Sequence, residues 1–263
     1  MPGQIFGDRY EVERTLGRKS GRWTLLARDL HTKEPVILKL LSIDSELKPR
    51  DLTLFEREVA TLQSIDHPAT PRYLGYFEMP LFDGKAIALV QTFVEGKSLA
   101  ESIAAGELLN ESQAIDLAEA VLEILSYLHQ HQPPIVHRDI KPSNILRTEA
   151  GSVKLVDFGT VRSLQPNEQR VSSFVGTEGY TSPEQNSGRA TKASDLYGLG
   201  VTLIVAMTGI EPSQLPRHKM RIDFTPVLSL SPHFSQWLEQ MIQPDLDRRF
   251  ASVQAALAAL KST

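Results

Sequence analysis

The residue pattern of the chain changes character once, near Glu95-Gly96, and that change limits the folds open to it. Before it lie short runs rich in β-branched, aromatic or leucine residues: Tyr10 to Leu16, Trp23 to Ala27, Val36 to Leu41, Tyr73 to Phe77 and Ala86 to Gln91. Turn formers such as Gly21, Pro35, Pro71 and Gly84 separate them, so they read as strands. One helix interrupts the series. From Pro49, the residues Leu52, Phe55, Val59 and Leu62 recur at spacings of three and four, and His67-Pro68 lies beyond its end. After Gly96 the pattern is helical. Asn110-Glu111-Ser112-Gln113 reads as a capping box, and Ile115, Ala118, Leu122 and Leu125 then share a face until Pro133-Pro134. Leu196 to Ile210 is apolar but falls short of the roughly 20 residues that span a bilayer, and Gly198, Gly200 and Gly209 interrupt it. It is expected to be a buried core helix. Val253, Leu257 and Leu260 are spaced to pack a terminal helix over Gln254 to Leu260. A β-rich first third joined to a helical remainder predicts a bilobal α+β architecture.

Composition narrows the chemistry. A formal net charge of −4 argues against non-specific nucleic-acid binding and against an anionic membrane surface as partner. The chain has no cysteine, which removes disulfides, thiolate metal sites and a cysteine nucleophile together and points to a reducing, cytoplasmic setting. Met1-Pro2-Gly3-Gln4 lacks the basic, apolar, small-residue order of a secretion signal. No membrane segment is expected. The oligomeric state is not legible.

Two motifs then supply a set of reactive groups. His137-Arg138-Asp139-Ile140-Lys141-Pro142-Ser143-Asn144 places a carboxylate, an ammonium and an amide within six residues, and Asp157-Phe158-Gly159 adds a second carboxylate. Phosphoryl transfer from a nucleotide needs those parts. One carboxylate orients and deprotonates the attacking hydroxyl, and a cation steadies the moving phosphoryl group. An amide oxygen and the second carboxylate hold magnesium against the phosphates. The two runs resemble the catalytic loop and metal-binding motif of protein kinases, H-R-D-x-K-x-x-N and D-F-G.

The resemblance implies roles residue by residue. Asp139 would accept the substrate hydroxyl proton, and Lys141 is the residue that Ser/Thr-specific members carry there. Asn144 and Asp157 would coordinate magnesium, with manganese as an alternative. His137 would pack beneath Phe158. Val36-Ile37-Leu38-Lys39 is similar to the V-A-I-K strand whose lysine grips the α- and β-phosphates of ATP. That lysine needs an acidic partner. At 100° per residue, Glu56 and Glu58 flank opposite edges of the apolar stripe and periodicity does not choose between them. The family pattern R-E-x-x-x-L matches Arg57-Glu58 through Leu62, which selects Glu58.

The glycine-rich loop departs from the family. G-x-G-x-x-G-x-V falls on Gly17 to Thr24 with only Gly17 kept, since Lys19 and Arg22 stand at the other two positions. Loss of two glycines is expected to weaken the backbone cradle for phosphate. The two cations either contact phosphate directly or form a solvated basic hairpin tip. Ile87 to Gly96 resembles the fifth strand and hinge, so backbone groups of Thr92 and Val94 would bind adenine. Leu16, Thr24, Ile37 and Leu146 would sandwich the ring.

Asp157 to Glu184 has the length of an activation segment. Gly176-Thr177-Glu178-Gly179-Tyr180 resembles the G-T-x-x-Y that shapes the peptide site, with Thr177 near Asp139 and Lys141. Glu184 would pair with Arg249, and Asp195 would hold the catalytic-loop backbone. Arg138 invites regulation by a phosphate on the activation segment, with Ser172 and Ser173 as first acceptors and Thr177 after them.

The resemblance runs from about Tyr10 to Leu260 and looks most like bacterial eukaryotic-type serine/threonine kinases, cyanobacterial ones in particular. It implies one kinase domain over residues 1–263, with an N-lobe of about 10–91, a hinge at 92–96 and a C-lobe of about 97–260. The implied activity is ATP- and magnesium-dependent phosphorylation of serine or threonine in proteins, its own activation segment included. A kinase-like module that works by nucleotide or partner binding is the alternative, supported by the degenerate glycine loop. A kinase of small-molecule hydroxyls is a third, opposed by Gly176 to Tyr180 and Ser182-Pro183-Glu184.

Overall fold

Alternation along the strands of the first ninety residues builds one twisted antiparallel sheet. A computed structural model describes residues 1–19, 21–44, 47–81, 84–164, 176–218 and 221–262. The chain divides into two units, Met1–Glu95 and Gly96–Thr263. In the first, β1 (Ile5–Phe6), β2 (Tyr10–Lys19), β3 (Arg22–Asp29), β4 (Pro35–Ile43), β5 (Tyr73–Leu81) and β6 (Gly84–Thr92) line up in the order β1-β2-β3-β4-β6-β5. The strands outrun the apolar stretches that betray them in the sequence, because ladder hydrogen bonds continue through polar ends such as Arg18-Lys19.

Register decides what each face carries. Direct partners share a face, so Gly17, Thr24, Lys39 and Leu89 form one row across four strands. The opposite face is apolar. Leu25, Ala27, Val36, Leu38, Leu40, Ala88 and Val90 pack there with Phe6, Tyr10 and Val12. Each buried valine, leucine or phenylalanine among them contributes about 1.5–3 kcal/mol, and each alanine methyl about 0.8 kcal/mol.

Between β4 and β5 the chain forms α1 (Pro49–Ser64), with Pro49 in its first turn and no side-chain cap from Lys48. Its buried residues are Phe55, Glu58, Thr61 and Leu62, whereas Leu52 and Val59 are only half-buried. The buried stripe is thus rotated from the one that hydropathy marks. A carboxylate tolerates that place because an ammonium meets it there, as buried charge requires.

The second unit opens with β7 (Lys97–Ser98) and α2 (Leu99–Ala104), where Ser98 and Glu101 form a capping box. In α3 (Glu111–Gln130), Asn110 and Gln113 cap each other reciprocally, as the sequence predicts. Short strands β8 (Ile135–Val136), β9 (Ile145–Arg147), β10 (Val153–Leu155) and β11 (Arg162–Ser163) follow, in the orders β10-β9-β7 and β11-β8. Next come α4 (Pro183–Asn186), α5 (Lys192–Thr208), the hairpin β12 (Arg217–His218) and β13 (Arg221–Ile222), α6 (Pro232–Met241) and α7 (Val253–Lys261).

Helix α5 is the hub. Every residue from Ala193 to Met207 is buried. At Gly200 a Cβ would stand 2.6 Å from Ile242 Cγ2 and 2.9 Å from Met241 Cβ, so glycine is what lets the end of α6 approach. Trp237 of α6 stacks on Phe234 and donates its indole N–H to the Ala256 carbonyl of α7 at 2.9 Å. In α7 the buried residues are Val253, Ala256 and Leu260; Leu257 is only half-buried, since Ala256 takes the centre of the face. Among the described residues no helix is long and apolar enough to cross a membrane.

Candidate active site

The loop between β8 and β9 is held from α5. Asp195, in the first turn of that helix, accepts the backbone N–H groups of His137 at 2.9 Å and Arg138 at 2.8 Å. His129, in the last turn of α3, meets the same carboxylate through Nε2 at 2.9 Å. Arg138 needs such support, because its φ of +70° lies in the left-handed region. A conformation of that kind costs on the order of 1–3 kcal/mol, comparable to what hydrogen bonds to a charged acceptor contribute.

His137 is fully buried, with its ring edge-on to Phe158 at 5.1 Å. Burial pushes its pKa below the ordinary value, only partly countered by the charges of Asp195, Asp139 and Asp157. A neutral, buried imidazole is a packing element here.

Asp139 sits at the centre of a closed set of contacts. Its Oδ1 accepts the Thr177 hydroxyl at 2.7 Å, and its Oδ2 meets Lys141 Nζ at 2.7 Å and Asn144 Nδ2 at 3.1 Å. Lys141 Nζ also donates to the Thr177 hydroxyl at 2.6 Å. Asn144 gives a second hydrogen bond to the Asp139 carbonyl at 2.9 Å. Its amide nitrogen is therefore committed, and its oxygen, which accepts the Ser143 hydroxyl at 3.3 Å, has a second lone pair for a ligand. Asp157 follows β10 with φ +65°, and the preceding Val156 N–H donates to the Asn144 carbonyl at 2.9 Å. Both Asn144 and Asp157 offer hard oxygen, the kind that magnesium or manganese takes.

The segment that brings in Thr177 is fixed at both ends. Gly176 has φ +135°, and a Cβ there would lie 2.5 Å from Thr181 Oγ1 and 2.8 Å from Gln185 Nε2. Gln185 in turn donates to the Arg138 carbonyl at 2.7 Å. Tyr180 is buried, which pushes its phenol well above the usual range. Beyond it, Glu184 pairs bidentately with Arg249 at 2.9 and 3.2 Å. Burial alone would raise the Glu184 pKa, but hydrogen bonds from Arg249, Ser182 and Ser194, together with the Arg249 charge, hold it below the ordinary value. Arg249 is anchored further by the carbonyls of Ala193 and Gln243 and by the Tyr197 ring, 5.1 Å away.

In the first unit, Lys39 Nζ is hydrogen-bonded to Glu58, and both are largely withdrawn from solvent. Glu56 is exposed. The ambiguity that periodicity leaves is resolved by α1 turning Glu58, not Glu56, onto the sheet. Leu16 and Gly17 are exposed on β2, Thr24 is half-buried opposite Lys39, and Ile37 is buried. Thr92 is tied to β5 through Arg72, with its N–H on the Arg72 carbonyl at 3.0 Å and its hydroxyl accepting the Arg72 N–H at 2.9 Å. Val94 is half-buried, as is Leu146, which pairs with Lys154 and Ser98 in the second unit. Ser172 and Ser173 lie outside the described residues.

Three contributors escaped the sequence reading. His129 and Gln185 look like ordinary helix polar residues, and only burial singles them out. The third is Asp51, whose carboxylate accepts Arg22 Nη2 at 3.0 Å. An acidic residue in the first turn of α1 was the available signal, though on its own it marks no more than a favourable helix end.

A family model described as protein kinase domain matches residues 10–259. The chain is 36% identical to the serine/threonine-protein kinase PknA of Nostoc sp. over 183 residues, covering 66% of this chain and 32% of that protein. It is 31% identical to the serine/threonine-protein kinase C of Synechocystis sp. over 273 residues, covering 99% and 51%. Against the serine/threonine-protein kinase PrkC of Bacillus subtilis the figure is 40% over 126 residues, covering 47% and 19%. The chain therefore spans about half, or less, of the length of the curated relatives it matches.

Proposed function

This chain belongs to the protein kinase family, and from that premise we propose that it is an ATP-dependent protein serine/threonine kinase of the bacterial eukaryotic-type class. A β-rich first unit with one main helix, followed by a helical second unit, is the α+β bilobal fold of that family. The observation that carries the proposal is the position of Asp139, whose carboxylate already receives a threonine hydroxyl.

In the proposed reaction a serine or threonine hydroxyl of a protein substrate gives its proton to Asp139 as its oxygen attacks the γ-phosphorus in line, the bond from that phosphorus to the bridging β-phosphate oxygen breaks, and ADP leaves. Lys141, held beside Asp139, supplies positive charge where the phosphoryl group moves. Thr177 orients both. Asn144 through its amide oxygen and Asp157 through its carboxylate would hold the divalent metal, Mg2+ with Mn2+ as substitute. Bound there, the metal neutralises charge on the phosphates. Lys39, steadied by Glu58, would grip the α- and β-phosphates. The backbone of Thr92 and Val94 would bind adenine, with Leu16, Gly17, Thr24, Ile37 and Leu146 lining the nucleotide.

Retention of Lys39, Glu58, Asp139, Lys141, Asn144 and Asp157 together speaks against a module that only binds. The peptide platform Gly176 to Tyr180 speaks for protein rather than small-molecule substrates. Ser172 and Ser173, then Thr177, are the proposed regulatory acceptors.

The test is to strip the purified chain with phosphatase, remove the phosphatase, add ATP and magnesium, and locate new phosphate by mass spectrometry. Incorporation into Ser172, Ser173 or a generic basic protein, absent from Asp139→Asn, is the expected result. No incorporation on any protein, with nucleotide still bound, would sink the proposal.

A further inference from the structure

Helix α1 carries Glu58, and its N-cap residue, Lys48, makes no side-chain capping bond. The Asp51 N–H meets the Lys48 carbonyl at 2.8 Å instead. A second tie at that end comes from the sheet. Arg22 Nη2 donates to the Asp51 carboxylate at 3.0 Å and to the Asp51 carbonyl at 2.8 Å. Arg22 stands at the third glycine position of the degenerate loop, so its contact exists only because that glycine is gone.

The geometry makes the two ion pairs one device. Arg22 pairs with Leu41 and Thr24 with Lys39, which places Arg22 and Lys39 on the same sheet face, on neighbouring strands. Asp51 and Glu58 are seven positions apart, two helical turns, and so share one face of α1. Arg22 therefore holds the start of the helix as Lys39 holds its middle. On the other face of the hairpin, Arg18 lies 5.5 Å from the Trp23 ring centre. Both arginines of the tip are thus engaged within the first unit.

We propose that Arg22, through Asp51, is a positioning residue that clasps α1 to the sheet and so keeps Glu58 on Lys39. The role in turnover rests on the kinase reading above; the clasp itself does not. It differs from direct phosphate contact, which would show in ATP affinity rather than in turnover.

The experiment compares Arg22→Gln, Asp51→Asn, their double variant and Arg22→Lys in the full chain. Backbone hydrogen exchange over residues 50–58 is read without nucleotide, and kcat and KM for ATP are read with a basic protein substrate. Each single variant should speed exchange and lower kcat by about two- to five-fold, the size of a half-exposed ion pair. KM for ATP should hold steady. The double variant should be no worse than either single, and Arg22→Lys should recover most of the loss. Unchanged exchange in both singles would overturn the clasp, as would additive losses in the double. A rise in KM for ATP with kcat unchanged would return Arg22 to the phosphates. If the parent chain transferred no phosphate at all, the kinase reading would fail while the exchange data still judged the clasp.

Discussion

Thr177 donates its hydroxyl hydrogen to Asp139 across 2.7 Å while accepting one from Lys141 across 2.6 Å. A single hydroxyl thus bridges the proposed base and the proposed cation, which also meet directly at 2.7 Å. Thr177→Ala is expected to lower kcat about tenfold, the factor that corresponds to about 1.4 kcal/mol, the net contribution of one good hydrogen bond. Thr177→Ser, which keeps the hydroxyl, is expected to retain most activity. Steady-state phosphorylation of a peptide substrate distinguishes the two, and an equal loss in both variants would remove the hydroxyl from the explanation.

Asp139→Asn preserves an acceptor for Thr177 and nearly the same volume, while its amide nitrogen gives up the contacts that Oδ2 accepts from Lys141 and Asn144. Proton acceptance is lost. The expected fall in kcat is about 10²- to 10⁴-fold, with nucleotide affinity unchanged by calorimetric titration. Turnover above a tenth of the parent rate would mean that another group takes the proton.

Asp157→Asn exchanges a charged oxygen ligand for a neutral one. Phosphate incorporation that depends on divalent metal is expected to vanish, and titration with Mg2+ or Mn2+ should not recover the parental rate. Full activity at ordinary metal concentration would overturn the metal assignment.

Glu184 and Arg249 form a bidentate pair in which the arginine side chain is fully buried and the carboxylate is 9% exposed. Arg249→Ala would strand a buried carboxylate and is expected to cost about 3–5 kcal/mol. Because the folded Glu184 pKa is depressed, its contribution is complete above the ordinary carboxylate range and declines as pH falls through the folded value. Thermal melts should therefore show parent and Glu184→Gln stabilities converging in acid and diverging toward neutrality. A gap that stayed constant with pH would contradict the ion-pair origin.

How much of this could be read from the sequence depends on the range of the interaction. The capping box at Asn110 and Gln113 is local, and periodicity alone places the helix it begins. His137 to Asn144 is likewise legible, since the spacing of its chemistry survives whatever surrounds it. Glu58 is different. Hydropathy centres the stripe on Leu52, Phe55, Val59 and Leu62, but the helix is rotated by a contact with Lys39, which lies 19 positions away. Periodicity sees side chains, not their partners. The link from Arg22 to Asp51 spans 29 positions and two element types, and nothing local foretells it.

Asp195 roots the catalytic loop in α5, the most deeply buried helix of its unit. Local opening is easiest where backbone is exposed and poorly tethered, and hardest in such a helix. The loop thus has little freedom to melt ahead of its support. On heating, the amides of His137 and Arg138 should exchange only by the same cooperative opening that frees α5, so heat inactivation and collapse of the helical unit become a single event.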